Sequence, residues 1–218
     1  MKTLLASAVV AAFAGSASAA VFQQDQNFSF PLSPGSQNVS FLGFQSIPGY
    51  QPGWILDSVV IRIDATIGAN VTAENDAAIP TTGFGLSLTG LSNFDIGNLS
   101  ANAGINEVVA GPDRDPSDGV PGSGTDFFDF GFVSGNDNDD DFAFSAIDLA
   151  AFDIAGNIAG LVNGSAGFSV TGTSDSSLDI VNLAANGTAT VIYNYTIPAP
   201  GAAALFGLAG LAAARRRR

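Results

Sequence analysis

Residues 58–67 alternate apolar and polar side chains, with Val60 as the one exception. Arg62 and Asp64 are among the polar members, and the apolar members are Val59, Ile61, Ile63, Ala65 and Ile67. Successive side chains of a β-strand point to opposite faces, whereas a helix would spread this pattern around its circumference. The stretch therefore predicts a strand with one buried and one solvent-exposed face.

Other segments repeat this period-two spacing between turn-forming residues. Residues 188–197 show it most clearly and place Val191, Tyr193 and Tyr195 on one face. Weaker segments, bounded by Gly, Pro, Asn or Asp, cover residues 28–30, 39–44, 71–73, 84–88, 127–133, 142–144 and 167–171. Only residues 145–154 carry a helical spacing. We predict an all-β domain, a two-sheet antiparallel β-sandwich whose inward side chains include Val59, Ile61, Ile63, Val191, Tyr193 and Tyr195.

Phenylalanine is concentrated between residues 127 and 144. Strict alternation along one strand would send Phe128, Phe130 and Phe132 into the core and leave Phe127 on the other face. An exposed aromatic row that contacts carbohydrate is the alternative. We predict core packing, because a two-layer interior needs many large apolar side chains.

The N-terminus carries the pattern of a secretory signal peptide. Lys2 precedes an apolar stretch over residues 4–14, and alanines at positions 17 and 19 form an A-x-A cleavage site. We expect residues 1–19 to form the signal helix and cleavage to fall between Ala19 and Ala20. Residues 20–196 then have the length of one domain.

The C-terminal residues 197–218 have three parts. Pro198 and Pro200 precede Gly201, an uncharged apolar run follows at 202–214, and the chain closes on Arg215, Arg216, Arg217 and Arg218. As a helix the apolar run would measure about 20 Å, which is shorter than the roughly 30 Å hydrocarbon core of a bilayer. Arginines at the end of such a helix stay on the cytoplasmic side. We therefore predict an apolar sorting helix that contacts a membrane transiently.

This layout resembles the PEP-CTERM sorting signal of exopolysaccharide-producing bacteria, in which Pro-Glu-Pro precedes a short hydrophobic helix and an arginine cluster. Ala199 stands where that motif has its Glu. The resemblance implies an exosortase-like membrane sorting protease as partner, transient inner-membrane contact, and delivery to the cell surface or extracellular matrix. Because of Ala199, related tails that are processed by other sorting proteases are an alternative.

The body of the chain resembles the exported bacterial domain called choice-of-anchor E. The resemblance is carried by Val21-Phe22-Gln23 after the signal, by residues 41–44 and 54–67, and by Tyr193-Asn194-Tyr195-Thr196 directly before the tail. It implies a β-sandwich that is exported with one of several interchangeable anchors. It supplies no catalytic residue to transfer to this chain.

The charge of residues 20–196 excludes one class of partner. All 20 acids of the chain lie there, but only two of its seven bases do, Arg62 and Arg114, so the net charge is 2 − 20 = −18. So acidic a surface repels nucleic acid and anionic membranes. We expect no nucleic-acid partner.

Composition also argues against catalysis. Residues 20–196 contain no His, Cys or Lys, which removes the usual pairs of nucleophile and base. A glycosidase needs only two acids, and four are formally available: Glu74, Glu107, Asp126 and Asp129. Sugar-stacking aromatics are few, however, because the chain has one Trp and three Tyr. We predict that the protein is not an enzyme.

The acidic run at residues 136–141 follows Gly135 and is typical of a flexible loop. Carboxylates on such a loop are ligands that Ca²⁺ prefers. The run predicts a calcium site at Asp137, Asp139, Asp140 and Asp141, and four further acids could close on the same ion: Asp113, Asp115, Asp118 and Asp126. A solvated loop of like charges is the alternative.

Two functions therefore stay open from the sequence. One is a structural or interaction protein of the cell surface or exopolysaccharide matrix. The other is a calcium-assisted module that binds extracellular polysaccharide.

Overall fold

The computed structural model describes residues 17–199. Most of them lie in strands: β1 Ser18–Pro31, β2 Gly35–Leu42, β3 Ile55–Asn75, β4 Gly85–Ile96, β5 Leu99–Ala110, β6 Phe127–Ala143, β7 Asn157–Thr171 and β8 Ser176–Ile197. A 3₁₀ turn covers Phe44–Ser46, and helix α1 covers Ala146–Leu149. Most of the predicted signal helix and sorting tail falls outside this range, but Ser18 and Ala19 of the predicted signal helix lie in β1, and Ile197 of the predicted tail lies in β8. Within residues 17–199, no helix is long and apolar enough to cross a membrane.

The strands form two antiparallel four-stranded sheets. One sheet has the order β1-β8-β3-β6, and the other has the order β2-β7-β4-β5. Buried side chains from both sheets meet in one core, such as Ile61 of β3 with Leu88 and Phe94 of β4. The predicted all-β architecture of two antiparallel sheets is confirmed.

The predicted core faces of β3 and β8 are also confirmed. The six side chains expected to face inward are all buried: Val59, Ile61, Ile63, Val191, Tyr193 and Tyr195. Arg62 and Asp64, which alternate with them, are exposed. The two strands pair so that Val59 lies opposite Tyr193 and Ile61 opposite Val191. Inward residues of one strand therefore lie beside inward residues of the other.

Aromatic side chains anchor β8 to the rest of the core. The Phe44 ring makes edge contacts with Tyr193 and Tyr195, at centroid distances of 5.9 and 5.3 Å, and Trp54 stacks on Tyr195 at 5.0 Å. The Tyr193 hydroxyl donates to the Leu42 carbonyl oxygen at 2.8 Å. Burial raises the pKa of this Tyr193 hydroxyl. The bond joins β8 of one sheet to β2 of the other.

A bulge in β6 changes the facing of the phenylalanines that follow it. The pairing of β6 with β3 skips Phe130, and the next residue, Gly131, has φ 66°. Phe130 packs against an inner apolar cluster, but Phe132 is 65% exposed and Val133 is buried. The prediction that Phe132 enters the core is therefore wrong, because one extra residue in a strand changes which side chains point inward.

The edge strands β1 and β2, one from each sheet, are joined by two glutamines. Gln24 accepts a hydrogen bond from Leu42 N at 2.8 Å and donates to Leu42 O at 3.0 Å. Gln37 accepts from Ser29 N at 2.9 Å and donates to Asn27 O at 3.5 Å. We name this pair of side chains the glutamine seam. It satisfies backbone groups of two sheet edges, which would otherwise be open to pairing with another chain.

Candidate metal centre

The predicted acidic loop is part of strand β6, so the prediction of a loop is wrong. Asp137, Asp139 and Asp141 point toward β5, the edge strand of the other sheet. Their Oδ2 atoms accept three backbone hydrogen bonds: Asp137 from Gly104 N at 2.8 Å, Asp139 from Asn102 N at 2.7 Å and Asp141 from Ser100 N at 3.0 Å. We name these three side chains the aspartate seam. Because they satisfy the N–H groups of an unpaired edge, residues that normally disfavour strands are held in one.

Asp140 points to the opposite face of β6, toward Arg62 of β3. Arg62 Nε donates to Oδ1 at 2.7 Å, and Nη2 donates to Oδ2 at 2.9 Å. This hydrogen-bonded guanidinium holds the pKa of Asp140 below its usual value, and the same contact raises the pKa of Arg62. The four acids predicted to bind calcium therefore do not converge, because three bond β5 and one bonds Arg62.

Three other acids do converge. One carboxylate oxygen each from Glu74, Asp118 and Asp126 lie within 4.8 Å of one another. Glu74 is near the end of β3, and the other two lie in residues 111–126, the loop that joins β5 to β6. Glu74 and Asp126 are buried, whereas Asp118 is exposed. We name this set the carboxylate cluster.

Asn75, the last residue of β3, holds the loop against the sheet. Its backbone N donates to Asp126 O at 3.0 Å, and its Nδ2 donates to Asp115 O at 2.8 Å and to Ile79 O at 3.1 Å. Its Oδ1 accepts a hydrogen bond from the Thr173 hydroxyl at 2.5 Å. A single fully buried side chain thus fixes the chain on both sides of the carboxylate cluster.

The carboxylates themselves shape the loop by accepting backbone hydrogen bonds. Asp126 Oδ2 accepts from Asp118 N at 2.7 Å, and Asp118 Oδ1 accepts from Val120 N at 2.7 Å. Glu74 Oε2 accepts from Gly122 N at 2.9 Å. Asp126 Oδ1, in contrast, is buried and receives no hydrogen bond from the described residues. A fully buried carboxylate thus has one oxygen that no group of residues 17–199 satisfies.

Gly124 lets two carboxylate oxygens approach the loop backbone closely. Its φ of 93° is a conformation that residues with a side chain rarely adopt. A Cβ atom built on Gly124 would lie 2.7 Å from Asp126 Oδ1 and would also collide with Asp118 Oδ2. The two oxygens therefore lie side by side next to Gly124, where any side chain would displace them.

Basic groups do not neutralise the carboxylate cluster in the part of the chain that the structure describes. The ion pair found there joins Arg62 to Asp140. Arg114 donates instead to the Phe127 carbonyl oxygen at 3.0 Å, and its guanidinium lies over the Phe128 ring at 5.2 Å. Carboxylate oxygens that converge without a counter-charge form an arrangement that could hold a divalent cation.

The sequence identified the members of this cluster but not their grouping. The sequence predicts that Asp118 and Asp126 close on the same calcium ion as the acidic run, and it offers Glu74 only as one acid of a catalytic pair. Asp113 and Asp129, two other candidates, accept hydrogen bonds from turn amides elsewhere. Glycine and proline around the acids of residues 111–126 were the available signal, since they indicate an ordered turn.

The predicted processing sites lie at one corner of the fold. Ala19 and Ala20 are in β1, paired with Thr196 and Tyr195 of β8, and Pro198 follows the end of β8. The other predicted sorting residues lie outside residues 17–199: Pro200, Gly201, Arg215, Arg216, Arg217 and Arg218.

Comparisons with known proteins show no family for this chain. No family model matches it, and no curated protein matches it. Two solved structures of infectious bursal disease virus, of the Gt and Gx strains, align with 81% and 87% of the chain at 14% and 13% identity, with a TM-score of 0.15 in both cases. The chain spans 41% and 43% of those viral chains. A likeness this weak carries no argument, so function must be argued from the chain itself.

Proposed function

We propose that this chain is an exported, non-catalytic structural or interaction protein of the cell surface or the extracellular polysaccharide matrix. The observation that carries the proposal is the position of the two ends of the sandwich. Ala20, the first residue after the predicted cleavage, pairs with Tyr195, so β1 of the processed chain begins where β8 ends. The new N-terminus and the start of the sorting tail therefore lie at the same corner, which suits a body presented outward from a membrane-held tail.

The length of β8 adds to this proposal. Glu74 pairs with Ser177 near the start of β8, and the tail follows Ile197 at its other end. At about 3.3 Å per residue, this strand separates the carboxylate cluster from the tail by roughly 65 Å. The body therefore carries its loop-rich end far from the membrane while an exosortase-like protease acts on the tail.

The placement of the acids supports a non-catalytic role. A glycosidase presents two carboxyl groups on either side of a bound sugar. Here Glu74 and Asp126 are buried, and each already accepts a backbone hydrogen bond within the loop. Residues 20–196 offer no His, Cys or Lys to replace them.

Sorting can be tested by neutralising the basic end of the tail. Replacing Arg215 to Arg218 by glutamine removes the charges that hold the tail across the membrane, so the protein should move from the cell surface to the medium or stay unprocessed. Replacing the same four residues by lysine keeps the charge and should preserve sorting. Cell fractionation in an exosortase-bearing host measures the distribution, and a surface location that survives the glutamine replacement refutes the proposal.

One observation favours a second function, calcium-assisted carbohydrate binding. Phe142 and Phe144 are 52% and 67% exposed, and their ring centroids are 5.7 Å apart. Exposed aromatic rings supply flat apolar surface for a ligand. Polysaccharide binding that disappears in chelator, and also when both phenylalanines are changed to alanine, would favour this function on a glycan array.

A further inference from the structure

We propose that Glu74, Asp118 and Asp126 bind one Ca²⁺ ion, which closes residues 111–126 onto the end of β3. This metal site is separate from the acidic run in β6, and it does not depend on the export and sorting proposed above. Three features of residues 17–199 carry it: a buried oxygen without a donor among these residues, a second carboxylate oxygen beside it, and no basic side chain among them paired with the cluster.

The unsatisfied oxygen is the first feature. Asp126 has no exposed surface, its Oδ2 accepts from Asp118 N, and its Oδ1 has no partner among the described residues. Burying an ionised carboxylate without satisfying both oxygens is strongly unfavourable. A cation beside Oδ1 supplies the missing interaction.

The second carboxylate oxygen beside Gly124 is the second feature. Asp126 Oδ1 and Asp118 Oδ2 both lie next to the point where a Cβ of residue 124 would be, so the buried oxygen faces another carboxylate. Asp118 is exposed, which gives an ion a path from solvent to the buried members. Asn75 already holds Asp115 and Asp126 of the loop by hydrogen bonds, so the ion closes the segment between these two residues onto Glu74.

The donor set selects the class of ion. The three ligands are carboxylates, whereas zinc and copper sites usually include His or Cys. Their oxygens lie within 4.8 Å of one another. This spacing is compatible with either Ca²⁺ or Mg²⁺. Calcium is the ion we propose because it takes six to eight oxygen ligands in flexible geometry, whereas Mg²⁺ demands near-ideal octahedral geometry and keeps several of its waters. Backbone carbonyls and water complete the calcium ligands.

The aspartate seam shows why other acids of this protein do not form such a site. Each of Asp137, Asp139 and Asp141 accepts a backbone hydrogen bond, and Asp140 is paired with Arg62. None of these carboxylates has a buried oxygen without a partner among the described residues. A bound cation is therefore more favourable at the carboxylate cluster than at the acidic run of β6.

Calorimetric titration of the full, chelator-treated chain with CaCl₂ tests the site directly. We expect one Ca²⁺ per chain with a Kd of about 10⁻⁴–10⁻³ M, the range of extracellular calcium modules, and much weaker binding of MgCl₂. Asp126→Asn and Glu74→Gln should each weaken binding at least about tenfold. Asp179→Asn is the matched control: it removes one exposed charge from the same end of the fold, on β8 opposite Thr72, and should bind like the parent chain.

Trypsin gives a second, structural readout. Arg62 and Arg114 are the only trypsin sites in residues 20–196, and Arg114 lies in the loop that the ion would close. Calcium should slow cleavage after Arg114 in the parent chain and in Asp179→Asn, but not in Asp126→Asn. The control variant also corrects for any effect of calcium on trypsin itself.

Several outcomes would overturn the site. The first is no calcium-specific binding at up to about 10 mM CaCl₂. The second is that Asp126→Asn and Glu74→Gln both bind calcium like the parent chain. The third is that Asp179→Asn loses as much calcium affinity as they do. If Asp126→Asn does not fold, the Glu74→Gln variant and the preference of the parent chain for Ca²⁺ over Mg²⁺ decide the question. A normal cell-surface location together with absent calcium binding would sink this site and leave the proposed function standing.

Discussion

The two sides of the sandwich both cover the edges of their sheets with polar side chains, but one side uses glutamine and the other uses aspartate. On one side the glutamine seam joins β1 to β2, and on the other the aspartate seam joins β5 to β6. In each seam, inward-pointing polar side chains bond the backbone of the facing edge strand. Both strands contribute such side chains to the glutamine seam, whereas only β6 contributes them to the aspartate seam. Both seams therefore cover edges at which a foreign strand could pair.

The difference between the seams lies in what each side chain can bond. An amide donates and accepts, so Gln24 satisfies both the N–H and the carbonyl oxygen of Leu42 while staying neutral. An ionised carboxylate only accepts, so each aspartate satisfies one N–H and adds a negative charge. Charges two residues apart on a strand, about 7 Å, repel by roughly 0.6 kcal/mol in water and about 2.4 kcal/mol at an effective dielectric constant of 20. The aspartate seam is therefore opposed by its own charge, and the glutamine seam is not.

Removing the aspartate seam should give the largest effect. In the triple variant Asp137→Ala, Asp139→Ala and Asp141→Ala, three N–H groups of β5 lose their acceptors. We expect the free energy of unfolding to fall by about 3 kcal/mol, roughly 1 kcal/mol per bond after relief of repulsion. Urea unfolding followed by the fluorescence of Trp54 measures it.

The matched control for this variant lies on the same strand. Asn136→Ala and Asn138→Ala change outward-facing, exposed residues of β6 and should alter stability by less than about 0.5 kcal/mol each. An equal loss in the control would mean that β6 needs polar residues in general, and that the bonds to β5 are incidental.

Exchanging an amide for a carboxylate, or the reverse, should have an intermediate effect on the free energy of unfolding, and only in the glutamine seam. In Gln24→Glu the carboxylate no longer donates to the Leu42 carbonyl oxygen and repels it, although the Tyr193 hydroxyl still donates there, so we expect a loss of about 1 kcal/mol at pH 7. In Asp139→Asn the amide oxygen still accepts from Asn102 N and two repulsions disappear, so stability should change by less than about 0.5 kcal/mol. The same unfolding assay compares them, and similar losses in both variants would contradict the distinction drawn here.

Breaking the Arg62–Asp140 pair on the outer face should have the smallest effect on the free energy of unfolding. Its side chains are 44% and 34% exposed, so solvent screening limits the pair to less than about 1 kcal/mol. Arg62 lowers the pKa of Asp140 in the folded state below its ordinary 3.8. The unfolded state therefore binds the proton first as the pH falls, and the stabilisation present above that value is lost as the pH drops through the folded-state pKa.

Comparing Arg62→Gln with the parent chain isolates this contribution. The two stabilities should differ slightly at pH 6 and converge once the pH falls below the folded-state pKa of Asp140, since the protonated acid no longer attracts the guanidinium. A difference that persists unchanged in acid would show that Arg62 stabilises the sheet by packing on its neighbours, with no contribution from its charge.

Local pattern in the sequence was enough to identify the class of the fold and the faces of its two central strands. Alternation in β3 and β8 is decided by neighbouring residues, because successive side chains of any strand point to opposite faces. Ile61, Ile63 and Tyr193 could therefore be placed in the core without knowing which strands pair. The same reasoning failed for Phe132, since a bulge at Phe130 is set by the pairing of β6 with β3.

Only the tertiary structure decided what the acids do. Residues 136–141 have poor strand propensity, and they form a strand because their backbone pairs with β3 while their side chains supply acceptors for the N–H groups of β5, more than thirty residues away. The convergence of Glu74 with Asp118 and Asp126 likewise depends on the end of β3 meeting the loop between β5 and β6. The role of each carboxylate depends on the groups that surround it. In this protein those groups come from distant parts of the chain, so the local sequence pattern does not predict the role.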